Sequence, residues 1–311
     1  MNGGESNTMG YITDVEGIKV GHAQSLEGMT GCTVIICEEG ATGGVDVRGS
    51  APGTRETDLL KSENLVERIH SVVLAGGSAF GLASSNGVMK YLEENGIGLD
   101  VGVTKVPIVV SAVIFDLWLG DSKIRPDEKM GYEAAKAATE FNTDRGVVGA
   151  GTGASVGKAL GPSFAMKSGL GSASIKVGDL VVAALVVVNA LGDIYNDGIQ
   201  IAGPYKDGKL LSTLELMKEG YSSGFANTNT TIGVITTNAI LTKAEANKVS
   251  QVAHDGMARA INPVHTMMDG DTVFTMATGK VKGDVNLVSQ LAAEVFQKAI
   301  YDIEFEHSRH L

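Results

Sequence analysis

The chain has 311 residues, 43% hydrophobic and 20% charged, with no long polar or Pro-rich tract, so it can build a substantial globular core. Its net charge of −11, with no Lys/Arg clusters, speaks against nucleic acid or an anionic membrane as partner, since both call for basic patches. Forty-one glycines, about 13% against a usual roughly 7%, point to many tight turns and close backbone approaches.

Met1 to Gly10 is polar and lacks the apolar segment of a secretory signal, which leads to the expectation of a cytoplasmic protein. Thr33 to Cys37 (TVIIC) and Ser71 to Ala75 (SVVLA) are predicted as short buried strands. Cys32 and Cys37 stand five apart, so on a strand they point to opposite faces and are expected as small core residues, not as a disulfide or metal pair. After Gly76-Gly77-Ser78 the pattern from Ala79 to Glu94 is helical and stops at Asn95-Gly96. Val109 to Leu117 is predicted as a buried strand and Glu128 to Glu140 as a helix. Ser174 to Lys176 and Leu180 to Asn189 are predicted as strands around the Val177-Gly178-Asp179 turn.

Pro204 to Asn229 is polar, with a helical patch at Leu214 to Lys218, and ends in Ser222 to Asn229 (SSGFANTN), an exposed loop by composition. An apolar strand, Thr231 to Thr236, follows directly. Helices are expected at Lys243 to Ile261 and Leu287 to Tyr301, with a strand at Thr272 to Ala277 between them. This mixture lacks strict βαβ alternation, so the fold class is α/β or α+β, with two sheets covered by helices.

The entry into the Thr231 strand carries the most chemical information. If the peptide bond between Asn229 and Thr230 were broken, Thr230 would hold both a hydroxyl nucleophile and an α-amine of pKa near ~8, able to act as its base. The same hydroxyl can attack the preceding carbonyl and so open the chain. The alternative is an ordinary loop-to-strand entry with threonines chosen for β-propensity. Asp269-Gly270-Asp271, leading into the Thr272 strand, puts two carboxylates on one face if the strand starts there, or forms a solvated turn.

Two glycine motifs imitate other sites. Gly149 to Gly153 (GAGTG), followed by Ser155-Val156-Gly157-Lys158, resembles a phosphate loop, but the spacing and Ala159 fail that pattern. Gly76-Gly77-Ser78-Ala79-Phe80 imitates a nucleophile elbow, with Phe80 where Gly belongs. His22, His70, His254, His265, His307 and His310 show no metal-ligand spacing, and neither metal nor cofactor is expected.

These motifs form a set. Val15 to His22 (VEGIKVGH), Gly31 to Val34 (GCTV), Val45 to Gly49 (VDVRG), Pro52 to Asp58 (PGTRETD), Leu74 to Gly81 (LAGGSAFG) and Gly149 to Gly153 resemble the L-aminopeptidase/D-esterase family of self-processing peptidases. The resemblance runs from about Ile12 to Gln297. It implies a four-layer αββα sandwich, a single hydrolase domain over 1–311, cleavage into a 1–229 α chain and a 230–311 β chain, and assembly into homo-oligomers. It implies Thr230 as nucleophile and α-amine base, similar to the 6-aminohexanoate-oligomer (nylon oligomer) endohydrolase branch. It also implies Lys158 as the active-site lysine, Asn189 as oxyanion donor, and Asp269, with Asp271 behind it, holding the threonine amine. The expected substrate is a linear amide, with 6-aminohexanoate oligomers first and small peptides or amino-acid amides second. Side chains from Val106 to Trp118 are expected to line the substrate pocket. Two readings of other classes are an unprocessed binding protein of the same fold and a Ser78-based esterase.

Overall fold

Alternation along the long strands sorts the apolar side chains into three separate interlayer spaces. The computed structural model of the protein describes residues 10–221 and 229–307. The polar stretch 1–9, the loop run 222–228 and His310 lie outside the described residues. Nine strands hydrogen-bond into one sheet: β1 (Lys19–Ser25), β2 (Thr30–Val47), β3 (Thr54–Arg55), β4 (Arg68–Ala75), β5 (Val109–Val113), β6 (Leu170–Val177), β7 (Leu180–Asn189), β8 (Thr230–Ala239) and β9 (Thr272–Val281). The order is β6-β7-β8-β9-β2-β4-β5-β3, with β1 also paired to β2. The β8–β9 and β4–β5 pairs are parallel.

The 18-residue β2 is the fold's hinge in space. Its first half, to Ile36, pairs with β1 and β4, and its second half, from Thr42, pairs with β9, with a register break between Ile36 and Ala41. The two sheet layers expected from the sequence are therefore one sheet folded on itself. Ile35, Val72 and Leu74 of one layer meet Leu185, Val187, Ile232, Val234 and Phe274 of the other.

The outward alternates of the same strands pack against helices. Val182, Val186, Val188 and Ile235 meet Val249 and Ala253 of a helix at Lys243–Ala260, and Val295 and Phe296 of a helix at Val285–Tyr301. Val34, Val73 and Ala75 meet Val88 and Leu92 of a helix at Ser84–Glu94, and Ala134 and Ala135 of one at Glu128–Lys136. The layers run helix, sheet, sheet, helix, the αββα sandwich. Each buried Val, Leu, Ile or Phe in these spaces contributes roughly 1.5–3 kcal/mol.

Local signals start the helices. Thr242 and Glu245 form a reciprocal capping box, and Asp127 and Asp284 accept the N–H groups of Met130 and Asn286. Several expected boundaries shift. The helix expected from Ala79 opens as a 3-10 turn at Ser78–Ala83. The strand expected to reach Leu117 stops at Val113, because the chain turns at Asp116, whose carbonyl takes the Leu119 N–H at 2.9 Å. β1 and the short strands between Asp193 and Leu210 carry too little apolar periodicity to be recognised. Cys32 and Cys37 are buried, free and in different interlayer spaces. Among the described residues, no helix is long and apolar enough to cross a membrane.

Candidate active site

The topology delivers several strand ends to one edge. β7 ends at Asn189, which pairs in register with Thr230 at the start of the antiparallel β8. β9 runs parallel to β8, so the residues preceding it, Asp269 to Asp271, arrive at the same end. Asn229 bridges Asp269 directly. The end of β2 meets the start of β9, and the motif after it packs under the aspartates: Arg48 N–H donates to the Asp271 carbonyl at 3.0 Å and Ala51 N–H to that of Asp269 at 2.9 Å.

At the centre is the Asn229–Thr230 peptide. Asn229 is 1% exposed, which corrects its assignment to an exposed loop: the bridge to Asp269 draws it between β7 and β9. The Thr230 hydroxyl donates to the Asn229 carbonyl oxygen. That oxygen also accepts the Gly270 N–H at 3.0 Å. Only glycine fits position 270, since a Cβ there would stand 2.7 Å from the Ala51 carbonyl oxygen and 2.9 Å from Thr230 Oγ1.

The other expected residues gather around this peptide. Lys158 Nζ donates to the backbone oxygen of Asn189 at 2.9 Å and to its Oδ1 at 2.7 Å. Asn189 Oδ1 also accepts the Ser155 N–H at 3.2 Å, and its Nδ2 donates to the Phe115 carbonyl at 3.1 Å. Burial pulls the Lys158 ammonium down to about 7, against the opposing pull of the Asp269 and Asp116 carboxylates. Asp269 accepts the Thr266 N–H at 2.9 Å and the Thr266 hydroxyl at 2.5 Å on Oδ2. Burial, and then the charge of Asp271, hold its carboxyl above the usual range.

The aspartates do not sit side by side on a strand face, because β9 starts only at Thr272 and both lie in the turn before it. Asp271 has partners of its own. Its Oδ1 accepts the N–H of Thr231, next to the candidate nucleophile, at 2.7 Å, and its Oδ2 is within 2.7 Å of His265 Nδ1. His265, taken in sequence as isolated, thus supports the site. Asp116 and Lys167, both buried, were also missed; the one available signal for Asp116 was a carboxylate closing an apolar run.

A cavity of about 270 Å³ opens on Thr230 and is lined by Ala51, Pro52, Ser78, Val113, Ile114 and Phe115 among others, none of them charged. Val113, Ile114 and Phe115 of the 106–118 segment are on the wall of this cavity. The arrangement offers a hydroxyl against a polarised carbonyl, beside a buried amine and two carboxylates.

Comparison with known proteins agrees with this geometry. Residues 10–305 match peptidase family S58. An uncharacterised aminopeptidase of Mycobacterium leprae is 42% identical over 299 residues, covering 88% of this chain and 80% of its own. A 6-aminohexanoate-oligomer endohydrolase of an Agromyces species is 32% identical over 275 residues, covering 86% and 75%. The L-aminopeptidase D-Ala-esterase/amidase of Ochrobactrum anthropi, a variant of the Ntn hydrolase fold, superposes with a TM-score of 0.73 at 16% identity, covering 96% of this chain and 87% of its own. With its family match spanning nearly the whole chain and its fold shared with the Ntn aminopeptidases, the protein belongs to peptidase family S58 and is a hydrolase of amide bonds.

Proposed function

We propose that the protein cuts its own chain between Asn229 and Thr230 and then hydrolyses linear amides, with the freed Thr230 as nucleophile and its α-amine as base. The observation that carries this is the Asn229 carbonyl, met by the Thr230 hydroxyl on one side and polarised by the Gly270 N–H at 3.0 Å. In self-cleavage Oγ1 attacks that carbonyl carbon and the oxyanion develops against the Gly270 N–H. The C–N bond then breaks, the proton lost by Oγ1 goes to the departing amine, and water hydrolyses the resulting ester to leave a carboxylate on Asn229.

In turnover the Thr230 amine accepts the hydroxyl proton during attack on the substrate and returns it to the leaving amine. Lys158 favours a neutral amine by like-charge repulsion, and Asp269 holds that amine. Asp271 fixes the start of β8 through the Thr231 N–H. Asn189, whose side-chain nitrogen donates to the Phe115 carbonyl at 3.1 Å, is the oxyanion donor in this reading.

The substrate we favour is an uncharged aliphatic amide chain such as a 6-aminohexanoate oligomer, in line with the uncharged cavity wall and the endohydrolase relatives. Cleavage of small peptides or amino-acid amides is the second reading, favoured by the aminopeptidase names of the 42%-identical relatives. We further propose that the processed 1–229 and 230–311 chains stay together and assemble into homo-oligomers.

Intact mass under denaturing conditions tests the proposal. Cleavage yields pieces of roughly 24 and 8.5 kDa, the 229:82 division of a 32.2 kDa chain. A single uncut species, inactive on both 6-aminohexanoate oligomers and amino-acid amides, overturns it and favours a binding protein.

A further inference from the structure

Asp116 is a buried group that none of these steps uses. It is 1% exposed; its Oδ1 accepts the Gly77 N–H at 2.7 Å and its Oδ2 the Thr30 hydroxyl at 2.6 Å. The same turn makes a second tie two residues earlier, from Ser78 N–H to the Ile114 carbonyl at 2.9 Å. These two bonds clasp the residues on either side of Phe115. The Phe115 carbonyl between them accepts the Asn189 Nδ2 donation.

The two glycine motifs close around this carboxylate. A Cβ on Gly76 would stand 1.9 Å from Asp116 Oδ2, and one on Gly153 would stand 2.4 Å from Asp116 Cβ. Lys167, whose charge acts on Asp116, donates to the carbonyls of Gly151, Ala154 and Ser168 and so steadies the strand entry from which Ser155 N–H reaches Asn189 Oδ1. Asn189 is thus held at its nitrogen from the Asp116 side and at its oxygen from the Lys167 side.

We propose that Asp116 is a positioning residue of the proposed hydrolytic site: it aims the Asn189 amide through the Phe115 carbonyl and supplies, with Asp269, the negative charge that Lys158 faces. The inference rests on the proposed function for its catalytic consequence, and for its electrostatic one on the hydrogen bonds that run from Lys158 through Asn189 to the Phe115 carbonyl, next in the chain to Asp116. The charged groups facing Lys158 are Asp269, Asp116 and the like-charged Lys167, and those facing Lys167 are Asp116 and Glu306. With Asp116 made neutral, one attraction is lost and Lys158 releases its proton at lower pH.

The first measurement needs no activity. In the full chain carrying Thr230→Ala, Lys158 is titrated by NMR with ¹³Cε-labelled lysine, its signal identified by Lys158→Met. Asp116→Asn is expected to lower its midpoint by roughly half a unit or more; an unchanged midpoint overturns the electrostatic role. In the Thr230 enzyme, folded Asp116→Ala is expected to lose about tenfold or more in kcat at a KM within about twofold. Asp116→Asn, which keeps an acceptor for Gly77, recovers most of that loss. Wild-type kcat in Asp116→Ala overturns the positioning role. If wild-type enzyme hydrolyses no amide, the functional reading fails on its own while the titration still decides Asp116.

Discussion

Thr230 and Ser78 are two hydroxyl side chains on the wall of the same cavity, and their surroundings differ in kind. Ser78 has the backbone of an activated serine, with φ of +53° at a strand-to-helix turn. Yet, among the described side chains, the histidine rings reach elsewhere: His22 to Thr33, His70 to Ile108, His254 to Asp46 and His265 to Asp271. The carboxylate beneath the Ser78 turn, Asp116, is spent on the Gly77 N–H and Thr30. Thr230 has ordinary strand geometry but stands against a polarised carbonyl, with Asn189, Lys158, Asp269 and Asp271 converging on its peptide. A strained turn presents a hydroxyl; only neighbouring proton acceptors and donors make it a nucleophile.

The sharpest way to break this contrast is Thr230→Ala. It is expected to leave one uncut chain in an intact-mass spectrum and no measurable amide hydrolysis; two pieces or retained activity would move the chemistry to another residue. Next in size is Asn189→Ala, expected to lower kcat by about 10²-fold, the scale of losing one oxyanion donor, in steady-state kinetics. A wild-type rate would take Asn189 out of the Thr230 set. Gly270→Ala is expected to slow self-cleavage by roughly tenfold or more, since the new methyl meets Thr230 Oγ1 and Ala51. A time course of the uncut band measures it, and unchanged processing would show that the close fit at Gly270 does not matter to the attack of Thr230 Oγ1.

A smaller effect concerns the charge buried on the Thr230 side. Lys158 binds its proton less tightly in the folded protein, about 7, than in the unfolded chain at 10.5. Between those values the unfolded chain holds more protons, so this residue's contribution to stability rises with pH through that window and is least favourable below about 7. Lys158→Met in the uncut Thr230→Ala chain should therefore flatten the increase in urea stability from pH 7 to 9. Equal slopes in the two chains would show that Lys158 titrates normally. The smallest effect is expected from Ser78→Ala, within about twofold of wild type in kcat/KM. A large loss there would restore the esterase reading and dissolve the contrast.

How much was legible varies with the range of the interaction. β7, β8 and the two C-terminal helices are visible because apolar period and length coincide with them. The shift of the 109–117 strand to an end at Val113 was not, since Val-Ile-Phe-Asp-Leu continues the apolar run and only Asp116's long-range bonds to Thr30 and Gly77 turn the chain there. Thr230, Asn189, Lys158 and the Asp-Gly-Asp turn were named from motifs and do come together. The orientation of the two aspartates was not readable, because it depends on β9 starting one residue after Asp271.

By itself the sequence determined a mixed α/β class through local periodicity, and, through short motifs that resemble a known family, the αββα sandwich, the family and the residues to watch. The tertiary structure alone decided that one long strand, β2, joins both layers, that Asn229 is buried with its carbonyl on Gly270, and that Asp116 and Lys167 brace Asn189 from two sides. Those features are contacts between segments tens to hundreds of residues apart, and a chain records them only once burial and hydrogen bonding have chosen which segments meet.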